Sequence, residues 1–242
     1  MQKSFTVNPN RTPDEIASYR ILLEKGLYQG VEIFYPYKKT AQEKEAYFKS
    51  IKEYLTFNPT IVCHLPYGND GNLATKVNLA QAISWIKEAI VFSAPLGVKR
   101  CTLHPGSCDH TLSRDAAIKL AAANIKEICQ FAKKYDMTIM LENLIGEDEL
   151  MRTPDEYFAL KKLIGEDNVR MTFDVAHFHA SAFCRQEDDI INFLEAARDE
   201  IWHLHISDND GTRDMHAQLG VGCIDFKRYF QKLKEIGYHD NH

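Results

Sequence analysis

Short apolar runs alternate along the chain with longer amphipathic segments. A short run that is apolar at nearly every position, bounded by polar or turn-forming residues, is typical of a strand buried on both faces. The pattern therefore predicts seven strands separated by helices. The predicted strands are Ser4–Val7, Gly30–Phe34, Thr60–His64, Arg100–His104, Thr138–Glu142, Arg170–Asp174 and Ile201–Ser207.

The segments between these strands carry helical signals. Over Ala116–Lys134 the apolar residues recur three and four positions apart, which places them on one face of a helix. Thr12, Thr40 and Thr153 are each followed three residues later by a glutamate, the pattern of a capping box at a helix start. The last predicted helix covers Phe226–Ile236.

Uninterrupted alternation of strand and helix predicts right-handed βαβ units and a parallel sheet. We expect one α/β domain over residues 1–242, a TIM (β/α)₈ barrel. An eighth strand should follow the last helix, but the sequence stops at His242. Either the sheet is open or the sequence stops short of a longer protein. The second alternative is favoured, because a seven-stranded sheet leaves two exposed parallel edges.

Composition narrows the class of protein. The hydrophobic share of 45% and the charged share of 26% are ordinary for a soluble globular chain, and the net charge of −5 gives no basic surface typical of nucleic-acid or anionic-membrane partners. The six cysteines include no Cys-x-x-Cys pair, which argues against a disulfide framework and favours a reducing cytoplasm. We expect no membrane span, no signal peptide and a cytoplasmic location. A homo-oligomer is compatible with the sequence.

Five successive predicted strands end at or near a residue that can bind a metal ion. Because parallel strands bring their carboxyl ends to one mouth, these side chains should converge. A single histidine at a strand end is usually a structural residue, but only 10 of 242 residues are histidine and three strands in this series end in one. Imidazole and carboxylate without thiolate favour Zn²⁺ or Mn²⁺, with Fe²⁺ or Co²⁺ also compatible. The five residues are His64, His104, Glu142, Asp174 and His205.

Two further segments add candidate ligands. Asp174 is followed by His177, and the stretch after the seventh strand contains Asp214-x-His216 followed by Gly220 and Gly222. Asp-x-His places two ligand types on one face of an extended loop. Alone the Asp-x-His pattern is weak evidence, but together with the five candidate ligands at strand ends it indicates an extended metal site.

The series from His64 to His216 resembles the xylose isomerase-like barrel superfamily, which includes endonuclease IV and many sugar isomerases and epimerases. The resemblance extends from Val31 to Phe226. The resemblance to endonuclease IV implies three ion sites. A glutamate on strand eight would complete the second site, and that glutamate has no counterpart before His242. The implied sets are His64, His104 and Glu142; then Glu142, Asp174 and His205; then His177, Asp214 and His216.

The resemblance leaves the chemistry open between two classes. In the isomerase and epimerase branch the middle set binds one Mn²⁺ or related ion, and we expect Glu142 and His177 as catalytic residues acting on a small sugar or sugar phosphate. The alternative is an abasic-site endonuclease, a zinc phosphodiesterase with clustered ions. The sequence lacks basic, aromatic-interleaved loops that would hold a duplex, which favours the isomerase or epimerase. A non-catalytic metal- or carbohydrate-binding barrel is a third alternative.

Four residues are predicted to contact substrate, each with an alternative. Glu32 would reach the mouth and orient a ligand, or form a strand-end salt bridge. Tyr67 would line a small-molecule pocket, or act as a wedge in DNA. Lys38 would hold a substrate phosphate, or lie in a solvated turn. Asp208 would fix a histidine tautomer or contact substrate.

Overall fold

The computed structural model describes residues 2–238, and seven parallel strands form one sheet in that range. The strands follow each other across the sheet in the order in which they occur along the chain, as predicted for successive βαβ units. They are β1 (Ser4–Val7), β2 (Gly30–Phe34), β3 (Thr60–His64), β4 (Arg100–Leu103), β5 (Thr138–Glu142), β6 (Val169–Asp174) and β7 (Ile201–His205).

Helices connect the strands and cover the outside of the sheet. Short 3₁₀ turns at Leu55–Phe57, Gly68–Asp70 and Ala94–Leu96 complete several connections. The helices are α1 (Pro13–Ser18), α2 (Arg20–Glu24), α3 (Ala41–Tyr54), α4 (Leu79–Ser93), α5 (Arg114–Lys133), α6 (Pro154–Ile164), α7 (Val175–Ala180), α8 (Glu187–Ala197) and α9 (Phe226–Glu235).

The sheet curls into an open barrel. In a flat sheet β2 and β7, five strands apart, would be separated by about 24 Å. Instead, Glu32 on β2 contacts His205 on β7, with Oε2 and Nε2 2.9 Å apart. Between residues 2 and 238 no pairing joins β1 to β7, so one side of the barrel stays open. The predicted α/β barrel is confirmed as a curled, seven-stranded form, and the chain end at 239–242 lies outside the described residues.

Capping explains where several helices begin. Thr12 and Thr40 form the predicted capping boxes, since each hydroxyl accepts a hydrogen bond from the glutamate backbone three residues later and that glutamate accepts one from the threonine backbone. Thr153 caps α6 with its hydroxyl, but the Glu156 carboxylate accepts from the Arg152 backbone instead. The third capping box is therefore only half formed, because an adjacent amide and the Arg152 guanidinium compete for the carboxylate.

Strand registers bring alternate side chains into the barrel. Phe34 is level with His64, and His64 with Thr102, so every second residue of these strands points to the same interior. The positions between them pack outward against the helices, where Ile33, Ile61 and Cys63 are buried. The inward set contains the polar residues that form the site.

No helix within residues 2–238 is long and apolar enough to cross a membrane.

Candidate active site

A cavity of about 630 Å³ opens inside the barrel. All the predicted metal ligands line it, together with Glu32 and Tyr67. The parallel strands explain this convergence, because their carboxyl ends meet at one mouth. The predicted ligands on its wall are His64, His104, Glu142, Asp174, His177, His205, Asp214 and His216.

The first ligand cluster joins β3, β5 and the residue after β4. Oε2 of Glu142 lies 3.3 Å from Nε2 of His64 and 3.0 Å from Nε2 of His104. The other ring nitrogen of His64, Nδ1, donates to the Leu65 carbonyl at 2.9 Å. A carbonyl only accepts, so the hydrogen is on Nδ1 and, in the neutral ring, the Nε2 lone pair points at the cluster.

The second cluster is centred on the opposite edge of the same carboxylate. Nδ1 of His205 lies 2.8 Å from Oε1 of Glu142 and 3.8 Å from Oδ2 of Asp174. Asp174 also caps α7, because its Oδ1 accepts from the His177 backbone at 2.8 Å. The second carboxylate oxygen of Asp174 therefore remains available to the cavity.

The third cluster joins α7 to the loop after β7. Oδ2 of Asp214 lies 3.4 Å from Nε2 of His177 and 2.9 Å from Nε2 of His216. Nδ1 of His177 donates to the Asn143 carbonyl at 2.9 Å, which turns its Nε2 towards Asp214. The Asp-x-His segment predicted from sequence is thus brought to the same site as the strand ends.

Burial and neighbouring charges shift the pKa values of these groups in opposite directions. Burial raises the pKa of the Glu142 carboxyl, but His205 and His104 outweigh it and hold that pKa well below its usual range. Burial lowers the pKa of His205, but Glu142 and Glu32 raise it well above the ordinary value. Glu142 and His205 therefore stabilise each other's charged forms.

The other ligands show the same competition with different results. Burial lowers the pKa of His177, yet Asp174 and Asp214 raise it to about 10. Hydrogen bonds from His177 and His216 hold the pKa of Asp214 below its usual range. Burial dominates at the remaining two groups, since it raises the pKa of Asp174 and lowers that of His104. Strongly perturbed groups lining one cavity are typical of a functional site.

The donor set fits a divalent cation. Oε2 of Glu142 is buried and has no hydrogen-bond partner, although two imidazole nitrogens lie close to it. An unsatisfied buried carboxylate oxygen is costly unless a cation neutralises it. Four groups of three described residues each place one donor atom per residue within 4.8 Å of the other two. Two of them are predicted sets, and the predicted middle set occurs with His177 in place of His205. The four groups are His64, His104 and Glu142; His177, Asp214 and His216; Glu142, Asp174 and His177; and Glu32, His203 and His205. Imidazole with carboxylate favours Zn²⁺ or Mn²⁺.

The structure places two predicted substrate-contacting residues away from the cavity wall. Lys38 is 63% exposed and its Nζ pairs with Oδ2 of Asp70 at 2.6 Å. The buried carboxylate of Asp208 accepts hydrogen bonds from the backbone of Asn209, Gly220 and Ile224. Asp208 therefore stabilises the loop that carries Asp214, and Lys38 lies in the solvated turn that was its alternative.

Tyr67 is at the cavity rim beside the first cluster. Its ring centroid lies 5.0 Å from that of His64 and 5.3 Å from that of His104, and the side chain is 46% exposed. Phe34 stacks on His64 at 4.7 Å, and its ring centroid lies 6.1 Å from that of Tyr67. The aromatic rings form one wall of the cavity, which agrees with the pocket-lining prediction for Tyr67.

Asn143 has a role that the sequence analysis did not assign. Its buried amide donates to the Asp174 carbonyl at 2.9 Å and accepts from the Asp174 backbone at 2.8 Å. Its own carbonyl accepts from His177. Asn143 thus holds two candidate ligands, Asp174 at the end of β6 and His177 on α7. The available signal was an amide directly after Glu142, where an apolar strand ends.

Comparison with known proteins gives a match to the family described as "Xylose isomerase-like TIM barrel", over residues 20–241. An inosose isomerase of Bacillus velezensis is 26% identical over 166 residues, which cover 66% of this chain and 58% of that protein. A probable endonuclease 4 of Shouchella clausii is 26% identical over 197 residues, covering 74% of this chain and 63% of that protein. The chain spans about three fifths of the length of the first curated relatives it matches.

Other matches extend over nearly the whole chain. A fructoselysine 3-epimerase of Shigella flexneri is 22% identical over 242 residues, covering 97% of this chain and 85% of that protein. The crystal structure of a D-tagatose 3-epimerase-like protein superposes with a TM-score of 0.79 at 24% identity, covering 98% of this chain and 88% of the other. The structural likeness supports the barrel architecture.

Proposed function

The chain belongs to the xylose isomerase-like TIM barrel family, and from this premise we propose that it is a divalent-metal-dependent isomerase or epimerase of a small sugar or sugar phosphate. The observation that carries the proposal is the convergence of Glu142, Asp174 and His205 on one cavity. The cavity volume, about 630 Å³, suits a small-molecule substrate.

Relatives named inosose isomerase and fructoselysine 3-epimerase support the same reaction class. A fold of this kind hosts many activities, so the side chains have to carry the argument. Glu142, Asp174 and His205 would hold the ion, which when bound supplies Lewis acidity at a substrate oxygen and acidifies the neighbouring C–H bond.

The chain's own groups would then move the proton. Glu142 is held as a carboxylate by its imidazole neighbours and lines the cavity, so its carboxylate can accept the substrate proton. His177 carries a proton at neutral pH and lines the same cavity, so its Nε2 can return a proton to the substrate carbon. One group would remove the proton and the other would deliver one, and the proton left on Glu142 would have to return to His177 through solvent before the next turnover.

A second candidate is a zinc phosphodiesterase of the endonuclease IV type. The observation that favours it is the third cluster, in which Asp214 contacts both His177 and His216. Together with the first cluster, this provides donors for more than one ion. A relative named probable endonuclease 4 supports this candidate. The net charge of −5 opposes it, because duplex binding depends on basic contacts to phosphates.

Metal content per chain tests the proposal and separates the two candidates. The full chain is purified without chelator and analysed by elemental mass spectrometry, with the His205→Ala variant as the matched control. One ion in the wild type and none in the variant supports the isomerase or epimerase, which is then assayed on ketoses and their phosphates. Three zinc ions would favour the phosphodiesterase and direct the assay to abasic DNA. A chain that binds no ion contradicts both.

A further inference from the structure

Glu32 lies inside the barrel and contacts a predicted ligand from the far side of the sheet. The side chain belongs to β2 and is 2% exposed. Its Oε2 lies 2.9 Å from Nε2 of His205, which is on β7. A carboxylate buried to this extent is costly unless it has a specific partner, and His205 is that partner.

The opposite edge of the same ring faces the second cluster. Nδ1 of His205 lies 2.8 Å from Glu142 and 3.8 Å from Asp174. The two nitrogens of His205 therefore point at carboxylates on two different sides of the ring. Nδ1 is directed to the carboxylates that would share the ion, and Nε2 is directed to Glu32.

A neutral imidazole has one nitrogen with a lone pair and one with a hydrogen. If His205 binds the same ion as Glu142 and Asp174, the lone pair must be on Nδ1. The hydrogen is then on Nε2, and it needs an acceptor in a buried place. An acceptor at this position also makes the imidazole a better donor to the ion.

We propose that Glu32 is the positioning residue of the metal centre: it accepts the Nε2 hydrogen of His205 and so fixes the tautomer in which Nδ1 binds the ion. This inference rests on the proposed function, because it requires the ion held by Glu142, Asp174 and His205. It corresponds to the ligand-orienting alternative for Glu32.

The surroundings of Glu32 hold its carboxylate in place. Thr102 donates to Oε1 at 3.3 Å, and the hydroxyl of Thr102 lies 3.1 Å from that of Thr172. Both threonines are completely buried. Nε2 of His203 lies 3.8 Å from Oε1, beyond hydrogen-bond distance. The closest polar contact of Glu32 is thus the one to His205.

Zinc affinity of the full chain tests the proposal. Competition with a chromophoric chelator is measured for the wild type, Glu32→Ala and Glu32→Gln. We expect Glu32→Ala to weaken zinc binding about 10–100-fold, the usual effect of removing a partner of a metal-bound histidine. Glu32→Gln keeps an acceptor oxygen without the charge, so its affinity should lie between the other two.

Glu200→Gln is the matched control. Glu200 is a partly buried carboxylate just before the start of β7, where it accepts from Tyr157 at 2.6 Å and contacts Lys161 at 2.5 Å. Its loss should leave the zinc affinity unchanged. Thermal unfolding of each metal-free variant shows whether a weaker affinity reflects damage to the fold.

A spectroscopic measurement on the wild type gives a second test that needs no variant. Long-range ¹H–¹⁵N spectra of the zinc-loaded protein should show His205 with its hydrogen on Nε2 and its metal bond on Nδ1. Metal bound through Nε2 would overturn the inference, as would Glu32→Ala affinity within about twofold of the wild type. If Glu32→Ala does not fold, Glu32→Gln and this spectrum decide. A wild type that binds no zinc or manganese overturns the proposed function as well.

Discussion

The side chains of His177 and Asp214 meet at the cavity, with Nε2 of the imidazole 3.4 Å from Oδ2 of the carboxylate. His177 is on α7, directly after β6, whereas Asp214 belongs to the loop that follows β7. The contact therefore joins two successive βα connections above the barrel. It also connects the cluster around Glu142 to the third cluster. A three-ion enzyme would need the third cluster for activity, whereas a one-ion enzyme would depend on it less.

The double change Asp214→Asn with His216→Ala tests that difference. If the protein is a one-ion isomerase or epimerase, Glu142, Asp174 and His205 still hold the ion, and turnover should fall by less than about tenfold. Metal content and turnover on the sugar substrate are measured together. His110→Ala, which changes an exposed histidine outside the cavity, serves as the control. Loss of bound zinc together with loss of phosphodiesterase activity would favour the second candidate.

His205→Ala should remove the central ion. His205 contacts both Glu142 and Glu32, so its loss removes a nitrogen donor and one imidazole partner from each of two buried carboxylates. Metal catalysis is worth several kcal/mol, so turnover should fall by roughly a thousandfold or more. Elemental analysis, turnover and far-ultraviolet circular dichroism are compared with the wild type. A folded variant with full turnover would contradict the metal-dependent mechanism.

The metal-free protein should lose stability as the pH rises from about 6.5 to about 10. The pKa of folded His177 is about 10, and that of an unfolded histidine is about 6.5. Between these values the folded state binds a proton that the unfolded state has released, so its stabilising effect is complete below the lower pKa and disappears through the upper one. For this group the free energy of unfolding should fall by on the order of 1 kcal/mol per pH unit.

Urea unfolding in the presence of a chelator gives the free energy of unfolding at pH 6, 8 and 10, and hence its slope against pH. His177→Gln cannot titrate and should make the slope smaller. His110→Gln removes an exposed histidine and should leave it unchanged. Stability that is constant or increases across this range in the wild type would contradict the assignment of a charged, buried His177.

Tyr67→Ala should weaken substrate binding more than it slows the chemical step. The ring lies at the rim of the cavity, beside His64 and His104, and makes no hydrogen bond that orients a ligand among the described contacts. Loss of aromatic contact area should raise KM by roughly tenfold with a small change in kcat. Steady-state kinetics of Tyr67→Ala and Tyr67→Phe separate the ring from its hydroxyl. An unchanged KM in Tyr67→Ala would place the substrate elsewhere in the cavity.

The sequence determined the order and kind of the elements and indicated the candidate ligands that now line one cavity. Apolar runs separated by amphipathic segments predict a parallel sheet, and parallel strands bring residues such as His64 and Glu142 to one edge whatever the details of packing. Strand ends were less certain: β4 ends at Leu103 and β7 at His205, one and two residues before the predicted ends. Backbone pairing sets these limits, and it depends on the neighbouring strand.

Only the tertiary structure decided what the side chains between those ends contact. Glu32 could orient a ligand or form a salt bridge, and the curl of the sheet brought it to His205. Lys38 and Asp208 were candidates for contact with substrate. In the structure Lys38 pairs with Asp70, and Asp208 accepts hydrogen bonds from amides of its own loop. Periodicity along a chain specifies which face a residue occupies, whereas contacts between distant strands depend on sheet curvature and loop path, which arise from packing of the whole chain.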